Sequence, residues 1–302
     1  MTSERTGLPT PNPIAPNAAV AIATAPIEME ALVELERYPL GRLGIPAGEE
    51  MLRSARLQLA KWGYAELPGF VNPDGVRRLV ADARAMTPRA HYSEGIGTAY
   101  LERPDDDLPS GHPRRWTGRY SLRTVPYDLM PRSSLLRQLY EWDHLAHLVS
   151  AVLERGPLYR YADPFGALNL AVMGEGDELQ WHFDQTDFVV SLAIQAADAG
   201  GDFEVAPLVR SEDDERYDAV ARVLYGEPAD VRTIAMRPGT LLVFEGRNSI
   251  HRVTPISGST LRHVGLLAYD TKPGTTGSEL LRMSRYGRTR AFEEPPRQWP
   301  AS

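Results

Sequence analysis

The second half of the chain consists of short apolar runs separated by turn residues, and this pattern limits the possible folds more than any other feature. The runs begin after Gly156 and are interrupted by turn sequences such as Gly200-Gly201 and Pro238-Gly239. Apolar runs bounded by Gly, Pro and Asp are typical of β-strands, and a succession of short strands indicates a sandwich, a jelly roll or a barrel. We predict strands at residues 168–173, 179–183, 188–195, 203–205, 231–236, 240–244, 250–254 and 261–269.

The first half of the chain has helical periodicity instead. Apolar residues recur at helical spacing over residues 49–62, over 73–86 behind an Asn72-Pro73 cap, and from Asp143 towards Gly156. We therefore predict helices in front of the strand-rich part.

The chain is expected to form one domain behind an N-terminal extension. Residues 1–45 are rich in proline and alanine and contain little that could form a core, so we expect a flexible or loosely docked tail. The expected domain, 46–302, has a helical part, a jelly-roll core and a C-terminal extension, at residues 46–156, 157–275 and 276–302.

Composition excludes several kinds of chemistry. The chain contains no cysteine, which excludes iron–sulfur clusters, thiolate ligands and a cysteine nucleophile, so a metal site must use His, Asp and Glu. The net charge of −7 argues against a nucleic-acid partner. No stretch reaches the ~20 apolar residues of a membrane span, and no signal peptide is evident. We therefore expect a cytoplasmic protein with no membrane partner.

One predicted strand carries the strongest signal for chemistry, the segment His182-Phe183-Asp184. Side chains two residues apart on a strand point to the same face, so His182 and Asp184 can project together into a barrel. An imidazole and a carboxylate are two parts of the 2-His-1-carboxylate triad that binds Fe(II). The second histidine must come from another strand, and His251 is the candidate. A His-x-Asp sequence alone occurs by chance in many proteins, whereas the additional histidine makes the pattern far more specific.

Arg262 lies at the start of the last predicted strand. A buried arginine on a barrel strand needs an anionic partner. A dicarboxylic cosubstrate that chelates the metal at one end would place its other carboxylate against this guanidinium. Two alternatives are open: Arg262 could pair with an acidic side chain at the sheet surface, or Arg247 or Arg252 could take the cosubstrate instead.

These features together resemble a known family. Residues 160–275 are similar to the double-stranded β-helix core of the iron(II)/2-oxoglutarate-dependent oxygenases, and more narrowly to the branch that modifies free amino acids and includes the amino-acid halogenases. The resemblance implies a mainly β fold with flanking α, in which a double-stranded β-helix core (jelly-roll or cupin-like) is wrapped by N-terminal helices. It is carried by His182-Phe183-Asp184, residues 200–204, 238–244 and 251–255, and Arg262.

The resemblance also implies cofactors and roles. Fe(II), 2-oxoglutarate as cosubstrate and O2 would be required, with His182, Asp184 and His251 as the catalytic metal ligands and Arg262 as the anchor of 2-oxoglutarate. The implied reaction is hydroxylation of an unactivated C–H bond in a small amino acid or amino-acid-derived metabolite, as in a biosynthetic pathway. Succinate and CO2 would be the co-products.

The sequence departs from the family pattern at two positions. Halogenating members carry Gly or Ala in place of the triad carboxylate, so the presence of Asp184 favours oxygen chemistry over halogenation. Some branches have serine two residues after the arginine, but Val264 occupies this position here. The carboxylate of 2-oxoglutarate then needs a different second hydrogen-bond partner, for which Asn169 is the candidate.

Four further polar residues are candidates for the substrate site. Arg115 and Arg119 belong to an arginine-rich segment that could reach over the barrel mouth, although a solvated basic face explains the same pattern. Gln185 and Asp187 follow Asp184 in an expected loop and could hydrogen-bond to a polar substrate.

The sequence leaves other functions open. The same cofactors could support desaturation or oxidative ring closure, because the outcome depends on how the substrate is placed. From another class, the chain could be a cupin-like binding protein with a non-catalytic metal site. A demethylase acting on nucleic acid or protein is disfavoured by the net charge.

Overall fold

A computed structural model of the protein describes residues 29–227 and 229–293. These residues contain helices α1 (Pro46–Trp62), α2 (Pro73–Met86), α3 (Leu135–Glu141), α4 (Asp143–Leu153), α5 (Tyr217–Leu224) and α6 (Glu279–Tyr286). The strands are β1 (Tyr64–Leu67), β2 (His91–Thr98), β3 (Thr117–Pro126), β4 (Tyr159–Arg160), β5 (Leu168–Met173), β6 (Leu179–His182), β7 (Val189–Gln195), β8 (Ala199–Gly200), β9 (Phe203–Ala206), β10 (Arg232–Ile234), β11 (Leu241–Phe244), β12 (Ile250–Val253), β13 (Ile256–Ser257), β14 (Arg262–Leu267) and β15 (Tyr269–Asp270).

Eleven strands form one sheet that curls on itself. Its order is β1-β11-β7-β14-β5-β3-β6-β12-β9-β10, and β2 pairs with β3. Strand β3 pairs with both β5 and β6, so it joins a first half (β1, β11, β7, β14, β5) to a second half (β6, β12, β9, β10). Side chains from both halves meet in one apolar cluster that includes Met173, Phe203 and Phe244. The halves therefore face each other as the double-stranded β-helix that the sequence predicts.

Alternation along the strands decides which side chains enter the barrel. On β5, Ala171 and Met173 belong to the interior cluster, whereas Leu170 and Val172 pack into the larger core with the helices. Helices α1 to α4 contribute to that larger core, so they cover the outer face of the first half. The outer face of the second half is covered by α5, which packs near Trp181 and Phe183. The site-bearing interior is thus supported from both sides.

The predicted elements occur close to their expected positions. Each of the predicted strands in the second half has its counterpart, in β5, β6, β7, β9, β10, β11, β12 and β14, and the predicted helices are α1, α2 and α4. Sequence patterns did not reveal β2, β3, α3 or α6. None of the helices within the described ranges is long and apolar enough to cross a bilayer.

Residues 1–28 of the predicted tail lie outside the described residues. Residues 29–45 lie against the main core, where Leu32 and Tyr38 are buried and Val33 forms a β-bridge with Val71. The division into a tail and one domain stays a prediction.

Candidate metal centre

Two neighbouring strands bring the predicted histidines together. His182 ends β6 and is directly opposite His251 of β12. Directly opposite residues of antiparallel strands point to the same face, and the two imidazole centroids are 4.3 Å apart. Asp184 follows β6, where its backbone N–H donates to the carbonyl of Gly246 at 3.0 Å. One ligand atom from each of the three side chains lies within 4.8 Å of the other two.

The hydrogen bonds of the imidazoles determine which nitrogen is available to a metal. Nδ1 of His182 lies 2.8 Å from the carbonyl of Gln180, and Nδ1 of His251 lies 2.9 Å from the carbonyl of Ser249. A carbonyl only accepts, so Nδ1 carries the proton in both rings and Nε2 presents a lone pair. Burial lowers the pKa of His182 to about 4. His182 is therefore a neutral ligand at physiological pH.

The carboxylate of Asp184 completes the set of donors. Its Oδ2 is buried and has no hydrogen-bond partner, and it lies 3.5 Å from Nε2 of His251. In the neutral imidazole of His251 the proton is on Nδ1, which donates to the carbonyl of Ser249, so the lone pair of Nε2 faces Oδ2 of Asp184. A divalent cation ligated by both atoms would relieve this arrangement, and neutral imidazoles with a carboxylate suit Fe(II). The residues therefore fit an iron ion.

Gly246 leaves the space that the Asp184 carboxylate occupies. A Cβ atom at position 246 would lie 1.9 Å from Oδ2 and 2.8 Å from Cγ of Asp184. Any side chain there would displace the carboxylate, so the loop before β12 requires glycine. Aromatic side chains support the other side of the site, where Phe203 and Phe244 pack on His251 at centroid distances of 5.4 and 5.0 Å.

Arg262 is a buried cation without a carboxylate partner among the described residues. Its guanidinium donates to Sδ of Met173 at 3.8 Å, and only 6% of the residue is exposed. Burial lowers the pKa of Arg262 to about 10, an effect that the charge of Asp202 opposes. Arg262 is thus protonated at physiological pH and faces the interior cluster that also contacts His251. The alternative left open by the sequence, pairing with an acidic side chain at the sheet surface, does not occur among the described residues.

The two alternatives to Arg262 are already paired. Arg247 donates to Asp187 at 2.6 Å, and Arg252 donates to Glu204 at 2.6 Å. Arg262 is therefore the better placed of these arginines to receive a cosubstrate carboxylate.

A cavity of about 500 Å³ opens beside the metal ligands. His182, Asp184, Asn169 and Gln185 line it, together with residues of α6. Arg262 is not among the lining residues, so it approaches the site from another side. The structure thus separates this cavity from the arginine predicted to anchor 2-oxoglutarate.

Asn169 lies far from Arg262 along the sheet. Arg262 of β14 pairs with Met173 of β5, whereas Asn169 pairs with Leu266, four residues further along β14. At roughly 3.4 Å per residue this separates them by about 14 Å. The two side chains point to the same face but are not brought together, and Asn169 lines the cavity beside His182 instead.

The arginines predicted for the substrate site lie outside the cavity lining. Arg115 pairs with Asp106 at 3.6 Å, and Arg119 donates to Glu178 at 3.3 Å. Asp187 also lies outside the lining, and it pairs with Arg247. Of the four candidates, Gln185 alone lines the cavity, at its exposed rim. The segment with Arg115 and Arg119 is therefore a paired, largely solvated surface.

Helix α6 contributes cavity residues that sequence reasoning missed, among them Arg285 and Tyr286. Its boundaries carry recognisable signals: the side chain of Ser278 accepts from the N–H of Leu281 at the start, and Gly287 ends the helix with φ +67°. These signals predict a helix, but its place over the cavity follows only from tertiary contacts.

Comparison with known proteins supports the fold and identifies a family. Residues 113–279 match the family model described as Halogenase D. AviO1 from Streptomyces viridochromogenes is similar in structure, with a TM-score of 0.51 and 19% identity over 74% of this chain and 96% of AviO1. The non-heme α-ketoglutarate-dependent epimerase SnoN from nogalamycin biosynthesis has a TM-score of 0.52 and 14% identity over 74% of this chain and 83% of SnoN. The carbocyclase SnoK from the same biosynthesis has a TM-score of 0.51 and 12% identity over 72% of this chain and 83% of SnoK.

No curated protein matches the sequence. The structural neighbours share the fold at low sequence identity, whereas the family model spans more than half of the chain. The protein therefore belongs to the halogenase D family of iron(II)/2-oxoglutarate-dependent oxygenases, whose cofactors are iron(II), 2-oxoglutarate and O2.

Proposed function

We propose that this protein hydroxylates an unactivated C–H bond of a small amino acid or amino-acid-derived metabolite. The observation that carries the proposal is the convergence of His182, His251 and an intact Asp184 beside a cavity of about 500 Å³. Cavities of this size suit small molecules. The resemblance of residues 200–204 and 251–255 to enzymes of free amino acids supports the substrate class.

The chain's own residues prepare the site for iron and the cosubstrate. His182 and His251 would each ligate through Nε2, since Nδ1 is held by a backbone carbonyl, and Asp184 would ligate through Oδ2. When bound, iron(II) with 2-oxoglutarate and O2 supplies the oxidation that removes hydrogen from a C–H bond, with succinate and CO2 as co-products. Arg262 would hold the distal carboxylate of 2-oxoglutarate with its planar donor fork, which is otherwise without an anionic partner among the described residues.

Chlorination is a second candidate, because the matching family model is described as Halogenase D. Asp184 argues against it. Its carboxylate lies where halogenating members leave room for a halide, and chloride would add negative charge beside an oxygen anion. Gly246 packs directly against this carboxylate, which further commits the position to an oxygen ligand. We therefore expect the product to gain oxygen rather than chlorine.

Desaturation and ring closure are compatible with the same site. SnoN and SnoK, which share the fold, are described as an epimerase and a carbocyclase. Hydrogen abstraction is common to these outcomes, and the position of the substrate carbon decides which one follows. The mass of the product separates them from hydroxylation.

The test has two steps. Anaerobic addition of Fe(II) and 2-oxoglutarate should give a weak visible charge-transfer band in the wild-type protein that is lost in His182→Ala. A screen of amino acids for stimulated succinate formation, in high chloride, then identifies the substrate and its product by mass. A gain of 16 mass units supports hydroxylation, and a loss of 2 supports desaturation or ring closure. A gain of chlorine overturns the proposal, and absence of the band points to a non-catalytic cupin-like protein.

A further inference from the structure

The C-terminal helix α6 forms one wall of the cavity that holds the metal ligands. Leu281, Arg285 and Tyr286 of α6 line the cavity together with His182 and Asp184. The helix packs against β2 and β3, on the side of the barrel where β6 ends. Side chains of α6 are therefore positioned to contact a molecule bound next to the metal.

Two arginines of this C-terminal segment hold the helix in place. Arg282 lies 3.3 Å from Asp163, whose side chain is 3% exposed. Arg288 forms two hydrogen bonds of 2.7 Å with Asp128, whose side chain is 2% exposed. Tyr286 also stacks on Phe165 at a centroid distance of 5.3 Å. These contacts fix α6 without any contribution from Arg285.

Arg285 differs from both neighbouring arginines because no carboxylate of the described residues pairs with it. The other acidic side chains that line the cavity are engaged: Asp163 by Arg282 and Glu102 by Arg114 at 2.5 Å. Asp184 faces the two imidazoles. An uncompensated cation in a cavity is a receptor for an anion, and a planar fork suits a carboxylate.

The cavity also contains a hydrogen-bond acceptor that lacks a donor among the described residues. Oε1 of Gln180 is buried without a hydrogen-bond partner, and Gln180 lines the cavity. The side chain of Asn169, by contrast, is within hydrogen-bond reach of Tyr286 of α6. Buried acceptors such as Oε1 of Gln180 require a donor, which a polar group of a bound substrate could supply.

We propose that Arg285 binds the carboxylate of the substrate. This assignment rests on the proposed oxygenase function and names the residue that selects its substrate. Arg285 and Arg262 then serve different carboxylates, that of the substrate in the cavity and that of 2-oxoglutarate outside it. Sequence alone pointed to Arg115 and Arg119 for the former role.

The test compares each acid with its amide. The proteinogenic L-amino acids and their carboxamides are titrated anaerobically into protein loaded with Fe(II) and 2-oxoglutarate, and the shift of the visible band reports binding without turnover. The variants are Arg285→Gln and Arg285→Lys, and Arg290→Gln is the matched control because Arg290 is an exposed arginine of the same segment. Succinate formed without substrate and the 2-oxoglutarate constant are measured for every variant.

We expect the amino acid that shifts the band to bind Arg285→Gln about 10- to 100-fold more weakly, as for a lost hydrogen bond to a charged group. Its carboxamide should bind the wild-type protein with a similar loss and be insensitive to Arg285→Gln. The affinity of Arg285→Lys for this amino acid should lie between those of the wild type and Arg285→Gln, because lysine keeps the charge but lacks the planar donor fork. Arg290→Gln should match the wild type, and the 2-oxoglutarate constant should not change in any variant.

Equal binding of acid and amide, or unchanged affinity in Arg285→Gln, overturns the assignment. A raised 2-oxoglutarate constant in Arg285→Gln would show that Arg285 serves the cosubstrate and would overturn it as well. If the band forms but no amino acid shifts it, the inference fails while the oxygenase assignment stands. If no band forms in the wild-type protein, the proposed function itself fails.

Discussion

Substitution of Gly246 by alanine tests the metal site without touching a ligand. The added Cβ would lie 1.9 Å from Oδ2 of Asp184, whereas an ordinary contact begins near 3.4 Å. The carboxylate must therefore retreat by about 1.5 Å, although metal–ligand distances tolerate only about 0.2 Å. The side chain of Asp184 is 22% exposed, so it can turn towards solvent in the metal-free protein. We expect loss of iron affinity with little loss of fold.

The loss should be at least that of a damaged ligand environment, about 10- to 100-fold in metal affinity, or about 1.4 to 2.8 kcal/mol. Isothermal titration with Fe(II) under anaerobic conditions measures it, and circular dichroism with thermal melting of the metal-free protein checks the fold. Gly111→Ala is the control, because a Cβ there meets nothing within 4 Å.

A double variant makes the reasoning sharper. Asp184→Gly removes the carboxylate that the added Cβ at position 246 would strike, so adding Gly246→Ala to it should cost no further iron affinity. Such non-additivity is the signature of two positions that act through one contact. Wild-type iron affinity in Gly246→Ala would refute the placement of the Asp184 carboxylate on the metal.

The remaining predictions concern the other buried cationic or titratable groups. His251→Ala should abolish iron binding and turnover while circular dichroism stays native; retained turnover would contradict the triad. Arg262→Leu should raise the 2-oxoglutarate constant roughly 30-fold or more, from a loss of ~2–5 kcal/mol for a desolvated charge pair, and leave the substrate constant nearly unchanged. Burial, with the charge of Arg84, lowers the pKa of His263 to about 4, against about 6.5 when unfolded. Only the unfolded state then gains a proton between these values, so folding stability should fall by about 3 kcal/mol from pH 6.5 to 4. His263→Gln keeps a donor for Thr87 but does not titrate. Its free energy of unfolding, measured with urea at pH 7 and at pH 4, should therefore fall by correspondingly less than that of the wild-type protein.

The parts of the fold that sequence could predict are the short apolar runs bounded by turn residues. On β5 the run is continuous because both faces of the strand are buried, with Leu170 and Val172 on one side and Ala171 and Met173 on the other. The His-x-Asp sequence is informative because two-residue spacing at the end of a strand predicts that His182 and Asp184 point the same way, although β6 ends at His182 and a backbone hydrogen bond to Gly246 positions Asp184. Its pairing with His251 could be anticipated because both lie on strands of one barrel.

Strands β2 and β3 were not predicted because their sequences lack the apolar runs that indicate buried strands. Strand β2 contains Gly95 and Gly97, and Gly95 is required by its neighbour: a Cβ there would lie 2.8 Å from the hydroxyl oxygen of Tyr120. Glycines selected for close packing resemble turn residues in the sequence. On β3, Arg119 faces solvent and pairs with Glu178. In the sequence, the polar face of such an ordinary strand resembles a segment that binds a substrate.

The cavity wall was equally inaccessible to sequence reasoning. The contact of Asp128 with Arg288 joins positions separated by most of the domain, and no local pattern encodes such a pair. Asn169 illustrates the same limit, because its distance from Arg262 is set by strand register rather than by composition.

Two buried carboxylates hold α6 in place, so the residues that anchor this helix are different from those that face the cavity. Replacing Arg282 or Arg288 would strand Asp163 or Asp128 as an unpaired buried charge, a change that typically costs about 3–5 kcal/mol, so these positions are under strong constraint. Leu281 and Arg285, which face the cavity from the same helix, carry no such anchoring duty. Substitutions at Leu281 and Arg285 can therefore change which substrate binds without changing the iron ligands, which lie much earlier in the chain.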